Sequence, residues 1–178
     1  MELYNIPRDV LELHRFCGDE SCYNLQVICV ELEHAIATDG HMMAVRDFVT
    51  PICDNVVHIP APIAKQALKA AGRRVSLFTA RVEGKLIKVL WPGGEVSGEF
   101  LDVTFPSWEQ VLPGGSHKAT TFAFNPELIA RVHVYLKACG HTDKGVRLDA
   151  PADALAPFLL TLDQPDFQAR FVIMPMRL

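Results

Sequence analysis

Residues 56–72 read VVHIPAPIAKQALKAAG: an apolar strand pattern runs into proline, continues as an amphipathic helix and stops at glycine. Proline is pre-organised for the first helical turn, and a glycine after the last turn can adopt the left-handed conformation that ends a helix. Residues 3–18 and 121–140 follow the same order, with predicted helices over 8–17 and 127–139 and terminal glycines Gly18 and Gly140. The sequence therefore predicts one structural unit repeated three times.

After each predicted helix the apolar spacing changes from about 3.6 to about 2, which indicates strands. The predicted strands are 23–31 and 35–46, then 75–82, 86–91 and 95–101, then 146–149, 158–162 and 170–174. These elements form three β-α-β-β-β units at about 1–52, 53–112 and 117–178. We predict an α+β fold of antiparallel sheets with the helices on one face, rather than a doubly wound nucleotide-binding fold.

The predicted units group into two parts. Residues 1–112 form a two-unit domain, 113–117 form a linker containing Pro113, and 118–178 form a single unit.

Composition excludes several classes of protein. The chain has 178 residues, of which 49% are hydrophobic and 21% charged, which is typical of a globular protein and not of a disordered one. No apolar run approaches the ~20 residues of a membrane span, and the N-terminus lacks a signal-peptide pattern, so we expect a cytoplasmic protein with no membrane partner. The five cysteines are expected to be reduced thiols, with a zinc site from Cys17, Cys22 and a histidine as the alternative.

Positive charge is concentrated in the predicted helices although the net charge is −4. The second helix and its end carry Lys65, Lys69, Arg73 and Arg74 without an acidic residue, and the third carries Arg131 and Lys137. The spacing of Lys65, Lys69 and Arg73 places them on one helix face. This face is either an ordinary solvated surface or a phosphate-binding surface that does not read bases.

A search for catalytic motifs leaves one candidate pair. Asp39 and His41 have the Asp-x-His spacing that can orient an imidazole for base catalysis, but no serine or cysteine stands at a recognised distance from them. We therefore expect a structural histidine and a protein that is not an enzyme and has no cofactor.

Three stretches resemble one family, the bacterial sliding clamp, which is the beta subunit of DNA polymerase III. Residues 37–45, ATDGHMMAV, are similar to the family's ATDGHRLAV stretch, and residues 105–113, FPSWEQVLP, are similar to its FPDYxxVLP segment. The final residues 172–178, VIMPMRL, resemble its terminal VMPMRL signature. The order and spacing of the three stretches agree with the family along nearly the whole chain.

The resemblance implies a ring of repeated β-α-β-β-β units, with helices lining a central hole and sheets outside. Such a ring tethers a polymerase to double-stranded DNA without sequence specificity. The lining residues implied here are Lys65, Lys69, Arg73, Arg74, Arg131 and Lys137.

The resemblance also implies a pocket for short linear motifs of DNA polymerase and other clamp-binding proteins. Its implied lining is Leu25, Thr38, Gly40, His41, Met42, Met43, Pro113, Val172, Met174, Pro175, Met176, Arg177 and Leu178. Flexible methionines beside proline and leucine suit a groove that accepts several partners.

Two departures from the family stand out. Met42 and Met43 replace its Arg-Leu pair, which changes the expected peptide preference, and three units are present where a family subunit has six. The chain corresponds to the middle domain followed by the final half-domain. If the ring keeps twelve units, four chains close it, and we expect a head-to-tail homotetramer, with a clamp loader as a further partner. The alternative is a truncated clamp that acts as a peptide-binding adaptor or decoy without encircling DNA.

Overall fold

A computed structural model describes residues 3–19, 22–113, 123–141, 144–151 and 153–176. The predicted strand–proline–helix segments form in the first two units, whereas in the third unit the described residues before the helix hold only an isolated bridge at Ala123. The three helices are α1 (Arg8–Glu12), α2 (Ala61–Ala71) and α3 (Pro126–Cys139). The strands are β1 (Leu3–Pro7), β2 (Val27–Glu31), β3 (His34–Thr38), β4 (Met42–Asp47), β5 (Val57–Pro60), β6 (Leu77–Glu83), β7 (Leu86–Trp91), β8 (Gly94–Glu99), β9 (Arg147–Asp149), β10 (Phe158–Gln164) and β11 (Phe167–Ile173). None of the described helices has both the length and the apolar character needed to cross a bilayer.

The sequence predicts that a glycine in the left-handed conformation ends each helix. The structure confirms this prediction at Gly140, agrees with it in part at Gly72 and contradicts it at Gly18. Gly140 caps α3 in the left-handed region, with φ 84° and ψ 19°. Gly72 has a positive φ of 70° but an extended ψ of −174°, and the Arg8 guanidinium donates to its carbonyl at 2.7 Å. Gly18 does not have a positive φ, because α1 tightens into a 3-10 turn over Leu13–Phe16 and Cys17 is already extended.

The predicted strand 35–46 is two strands, because the turn at 39–41 folds β4 back on β3. Two other predicted strands begin three or more residues from their observed starts. The segment predicted as a strand from residue 23 begins as a 3-10 turn over Tyr23–Leu25, and the strand starts at Val27. The last strand spans Phe167–Ile173 rather than 170–174, because the chain turns directly after β10 and pairs along that strand's full length.

The first two units exchange their first strands. β1 of the first unit pairs with β6 of the second, from Leu3 opposite Arg81 to Pro7 opposite Leu77. In return β5 of the second unit pairs with β2 of the first, from Val27 opposite Pro60 to Val30 opposite Val57. Neither sheet is complete without the other unit, so units one and two fold as an interlocked pair.

The third unit joins the first edge to edge. β11 pairs antiparallel with β4, from Gln168 opposite Asp47 to Ile173 opposite Met42. The result is a seven-stranded sheet in the order β5-β2-β3-β4-β11-β10-β9, beside the four-stranded sheet β1-β6-β7-β8.

Two arginines fix this junction, Arg46 buried and Arg170 half-buried. Arg46 Nε donates to Asp9 Oδ2 at 2.7 Å, and its guanidinium lies between the rings of Phe48 and Phe167 at 4.4 and 4.3 Å from their centroids. Arg170 makes a two-pronged contact with Asp47, at 2.8 and 2.5 Å. Charge-assisted bidentate pairs of this kind specify geometry as well as adding stability.

The two faces of the seven-stranded sheet have different cores. The inner face packs against all three helices in one cluster that includes Val10, Ile63 and Tyr135. The outer face carries a smaller cluster of Ile36, Met43, Val45, Trp108 and Val172, covered by the chain that follows β8.

Candidate functional site

An apolar cavity of about 190 Å³ lies on the outer face where the first and third units meet. It is lined by Leu25, Thr38, Gly40, Met42, Met43, Phe105, Pro106, Ser107, Trp108, Val111, Val172 and Met174. Four parts of the chain form it: the 3-10 turn that ends at Leu25, the β3–β4 hairpin, the end of β11 and the segment after β8.

The β3–β4 turn is held in shape by its own polar side chains. Asp39 Oδ1 accepts from the backbone N–H groups of His41 and Met42, both at 2.9 Å. Thr38 Oγ1 donates to the Met42 carbonyl at 2.8 Å, and Gly40 takes a φ of 86°. Glycine is the residue that adopts this backbone without a steric cost, so the turn can present a smooth rim to the cavity.

Asp39 also anchors the turn to α3. Arg131 Nη1 donates to Asp39 Oδ2 at 2.6 Å, while Arg131 Nη2 donates to the Arg15 carbonyl at 3.0 Å. Burial by itself raises the pKa of Asp39, but the hydrogen bonds from Arg131 and from the turn amides outweigh it, so the pKa is lowered from its ordinary value. The carboxylate is therefore ionised and fully engaged near neutral pH.

The β4–β11 ladder supplies the floor of the cavity. Met43 stands opposite Val172, and both side chains are buried. Beyond the ladder, the Met174 N–H donates to the His41 carbonyl at 3.1 Å, which holds the half-exposed Met174 side chain at the rim. An adaptable methionine thus lies where an incoming apolar group would enter.

Trp108 forms the remaining wall. Its indole Nε1 donates to Glu31 Oε1 at 2.6 Å, its ring lies 5.1 Å from that of His34, and the Arg170 guanidinium lies 5.5 Å from it. These contacts dock residues 105–111 on the sheet. Residues 105–113 carry part of the family resemblance, but the predicted pocket did not include Phe105, Trp108 or their neighbours. The aromatic and apolar character of these side chains was the signal that could have placed them there.

The predicted pocket residues separate into three groups. Leu25, Thr38, Gly40, Met42, Met43, Val172 and Met174 line the cavity. His41, Pro113, Pro175 and Met176 are described but do not line it, and Met176 instead pairs with Ala123. Arg177 and Leu178 lie outside the described residues, as do residues 114–117 of the predicted linker.

The predicted basic residues divide in a similar way. Lys65, Lys69, Arg73, Arg74 and Lys137 are exposed, and within the described chain no carboxylate lies at ion-pair distance from them. On α2 the lysines lie opposite the buried Ile63 and Ala67. Arg131 differs, because its guanidinium is engaged by Asp39 and by the Phe16 ring. Its guanidinium therefore holds the β3–β4 turn against α3.

The remaining chemical candidates have structural explanations. The Asp39 carboxylate binds backbone amides and Arg131, so it does not orient the His41 imidazole. Across the part of the chain that the structure describes, no three His, Cys, Asp or Glu side chains gather as a metal site. Burial raises the pKa of the Cys17 thiol to about 12, so this cysteine is a neutral core residue.

The fold is similar to that of bacterial sliding clamps of known structure. The DNA polymerase sliding clamp from Bacillus subtilis is 16% identical and aligns with a TM-score of 0.74 over 99% of this chain and 64% of its own. The sliding clamp (DNA polymerase III subunit beta) from Bartonella birtlesii, solved bound to griselimycin, is also 16% identical, with a TM-score of 0.74 over 99% of this chain and 66% of its own. The Caulobacter crescentus beta sliding clamp is 14% identical, with a TM-score of 0.73 over 100% and 66%.

No protein-family model and no curated protein matches the sequence. The structural likeness confirms the predicted α+β sliding-clamp fold, and the chain spans 64–66% of the length of the first clamps it matches.

Proposed function

We propose that this chain is a sliding clamp, a non-catalytic processivity factor whose copies form a ring around double-stranded DNA and recruit a DNA polymerase through the cavity beside Trp108. The observation that carries the proposal is the alignment of 99% of the chain with a bacterial sliding clamp. We expect no cofactor, because encircling DNA and binding a peptide motif require no covalent chemistry.

The exposed face of α2 supports the DNA part of this proposal. Lys65 and Lys69 are four residues apart on α2, which is about 6 Å along the helix. Arg73 lies beyond the helix, because α2 ends at Ala71 and Gly72 has an extended ψ, so the predicted helix face holds only the two lysines. Phosphates on one DNA strand are about 3.4 Å apart along the axis, so neighbouring cations on α2 can reach nearby phosphates. Contacts from lysine to phosphate carry no sequence information, which allows a ring to slide.

The cavity supports the docking part. It is apolar, it opens to the surface and its wall combines methionines with the rigid ring of Trp108. A short extended motif with one or two apolar side chains matches that chemistry. The partners we propose are a DNA polymerase and other replication proteins that carry clamp-binding motifs.

Ring formation follows from the number of units. Three units per chain and a ring of twelve give four copies, so we propose a homotetramer, with a clamp loader as a partner where the closed ring does not open unaided.

Retention on DNA of different topology tests the ring. The protein is assembled on a closed circular duplex, freed of unbound protein by gel filtration, and then followed before and after linearisation at one site. We expect slow loss from the circle and rapid loss from the linear form. Equal loss from both, with binding of a polymerase clamp motif intact, would overturn encirclement and favour the adaptor or decoy.

A further inference from the structure

Strand pairing within this chain follows two rules. The first strand of a unit pairs with the strand after the helix of a companion unit, as β1 does with β6 and β5 does with β2. The last strand of a unit pairs with another last strand, as β4 does with β11. The first rule is reciprocal, because each of the two companion units pairs its first strand with the other unit. The two units are therefore related in the way that a two-fold axis relates two copies.

The third unit is left incomplete by these rules. β9 is the strand after its helix, and in the described chain the seven-stranded sheet ends there with no strand on the outer side. In the first unit, by contrast, β2 holds the same position and is covered by β5.

Leu148 shows the physical effect of the missing strand. It stands opposite Leu160, whose side chain belongs to the helix-facing core, so Leu148 is on the same face of the sheet. Yet Leu148 is 48% exposed, whereas β2 residues Val27, Ile28 and Val30 are fully buried. An uncovered leucine at an open sheet edge is a surface that needs a partner.

We propose that the third unit of a second copy of this chain covers the β9 edge, and that the two copies do so reciprocally about a two-fold axis. The segment before α3 holds the chain position of β1 and β5, and in its described part Ala123 pairs with Met176 rather than with a companion unit. In the described chain, neither β9 nor Ala123–Asn125 pairs with a companion unit. The third unit of a second copy supplies the missing pairing, as unit two does for unit one.

This symmetry differs from the head-to-tail arrangement expected from the unit count. β4 and β11 already pair with each other, so within the described chain β8 is the last strand of a unit that has no such partner. By the second rule, β8 pairs with β8 of another copy. Both contacts between chains are then isologous. The inference concerns how copies associate and stands independently of whether the ring holds DNA.

Sedimentation of the full chain tests the proposal. We expect Leu148→Glu to weaken the reciprocal contact at least tenfold and reduce the assembly to half its mass or less at micromolar concentration. Leu32→Glu is the matched control, because Leu32 is 58% exposed at the tip of the β2–β3 hairpin and should keep the wild-type mass. A monomeric wild type, or an unchanged mass for Leu148→Glu, would overturn the proposal.

Two further measurements separate two-fold from head-to-tail association. In wild-type protein, amide exchange at Arg147–Asp149 should slow as concentration rises, and unchanged exchange counts against the contact. The Ser97→Pro substitution disrupts β8. When the Leu148→Glu and Ser97→Pro variants are mixed, we expect only the assemblies that each variant already forms alone. Recovery on mixing is the signature of a head-to-tail contact between β8 and β9 and would refute the two-fold arrangement.

Discussion

Arg131 Nη1 and Asp39 Oδ2 lie 2.6 Å apart although 92 positions separate the two residues in the chain. The pair joins α3 of the third unit to the β3–β4 turn of the first, directly beside the cavity. The shape of the cavity therefore depends on how the third unit is docked.

Replacing Arg131 with methionine should loosen that turn. The variant keeps an apolar stem over Phe16 but removes the charge-assisted hydrogen bond, and we expect a loss of about 1–3 kcal/mol in the free energy of unfolding. Titration of a fluorescent clamp-motif peptide should show weaker binding. Lys88→Met, which breaks the surface pair with Glu83, is the control and should change the free energy of unfolding far less, with peptide affinity unchanged. Equal losses in both variants would argue against a positioning role.

Gly40→Ala should weaken both folding and peptide binding. The φ of 86° at this position is unfavourable for a side chain, at a cost of about 1–2 kcal/mol, and the new methyl group points toward Leu25 on the cavity wall. Gly84→Ala imposes a similar backbone strain at φ 60° in the β6–β7 hairpin, where nothing lies within 4 Å. Urea unfolding should show comparable losses for the two variants, while isothermal titration should show reduced peptide affinity for Gly40→Ala alone. Unimpaired binding by Gly40→Ala would remove the turn from the docking site.

Lys69→Ala should reduce the salt dependence of DNA binding. Each phosphate contact contributes about 0.9 to the slope of log affinity against log salt, so one lost contact should lower the slope by about that amount. Lys85→Ala removes an equally exposed lysine from the β6–β7 hairpin and should leave the slope unchanged. Fluorescence anisotropy of a duplex over a range of salt concentrations measures both, and identical slopes would place DNA elsewhere on the molecule.

Stability should fall as the pH drops below about 6.5, and His58 should cause part of that loss. Burial lowers the pKa of His58 from its ordinary value, with Asp102, the Leu101 carbonyl and Glu31 pulling in the opposite direction. Protons therefore bind the unfolded chain more readily than the folded one, so acidification through the unfolded pKa favours unfolding. His58→Gln should flatten the change in unfolding free energy between about pH 7.5 and pH 5.5. An unchanged pH profile would mean that His58 does not titrate on unfolding.

The repeated unit could be predicted from sequence because its signals are local. Pro60 starts α2 and Gly140 ends α3 through backbone constraints that act within a few residues. Gly18 failed as a helix end because α1 tightens into a 3-10 turn before reaching it, a change that apolar spacing over so short a segment does not show.

The site was less predictable because its decisive contacts are distant in sequence. Arg131 was counted as a free cation, and only the folded chain brings it to Asp39. Trp108 becomes a cavity wall because its indole reaches Glu31, 77 positions away. The turn and strand residues were found more easily, since their resemblance lay in continuous stretches.

The pairing of β4 with β11 also sets an order of events during synthesis. β4 is complete once residue 47 has been made, but its partner ends at residue 173. Throughout most of translation the growing chain therefore carries an open, apolar edge strand beside an already interlocked first pair of units. Such edges are where nascent chains associate wrongly, so chaperone protection should matter most for this protein before its last strand leaves the ribosome.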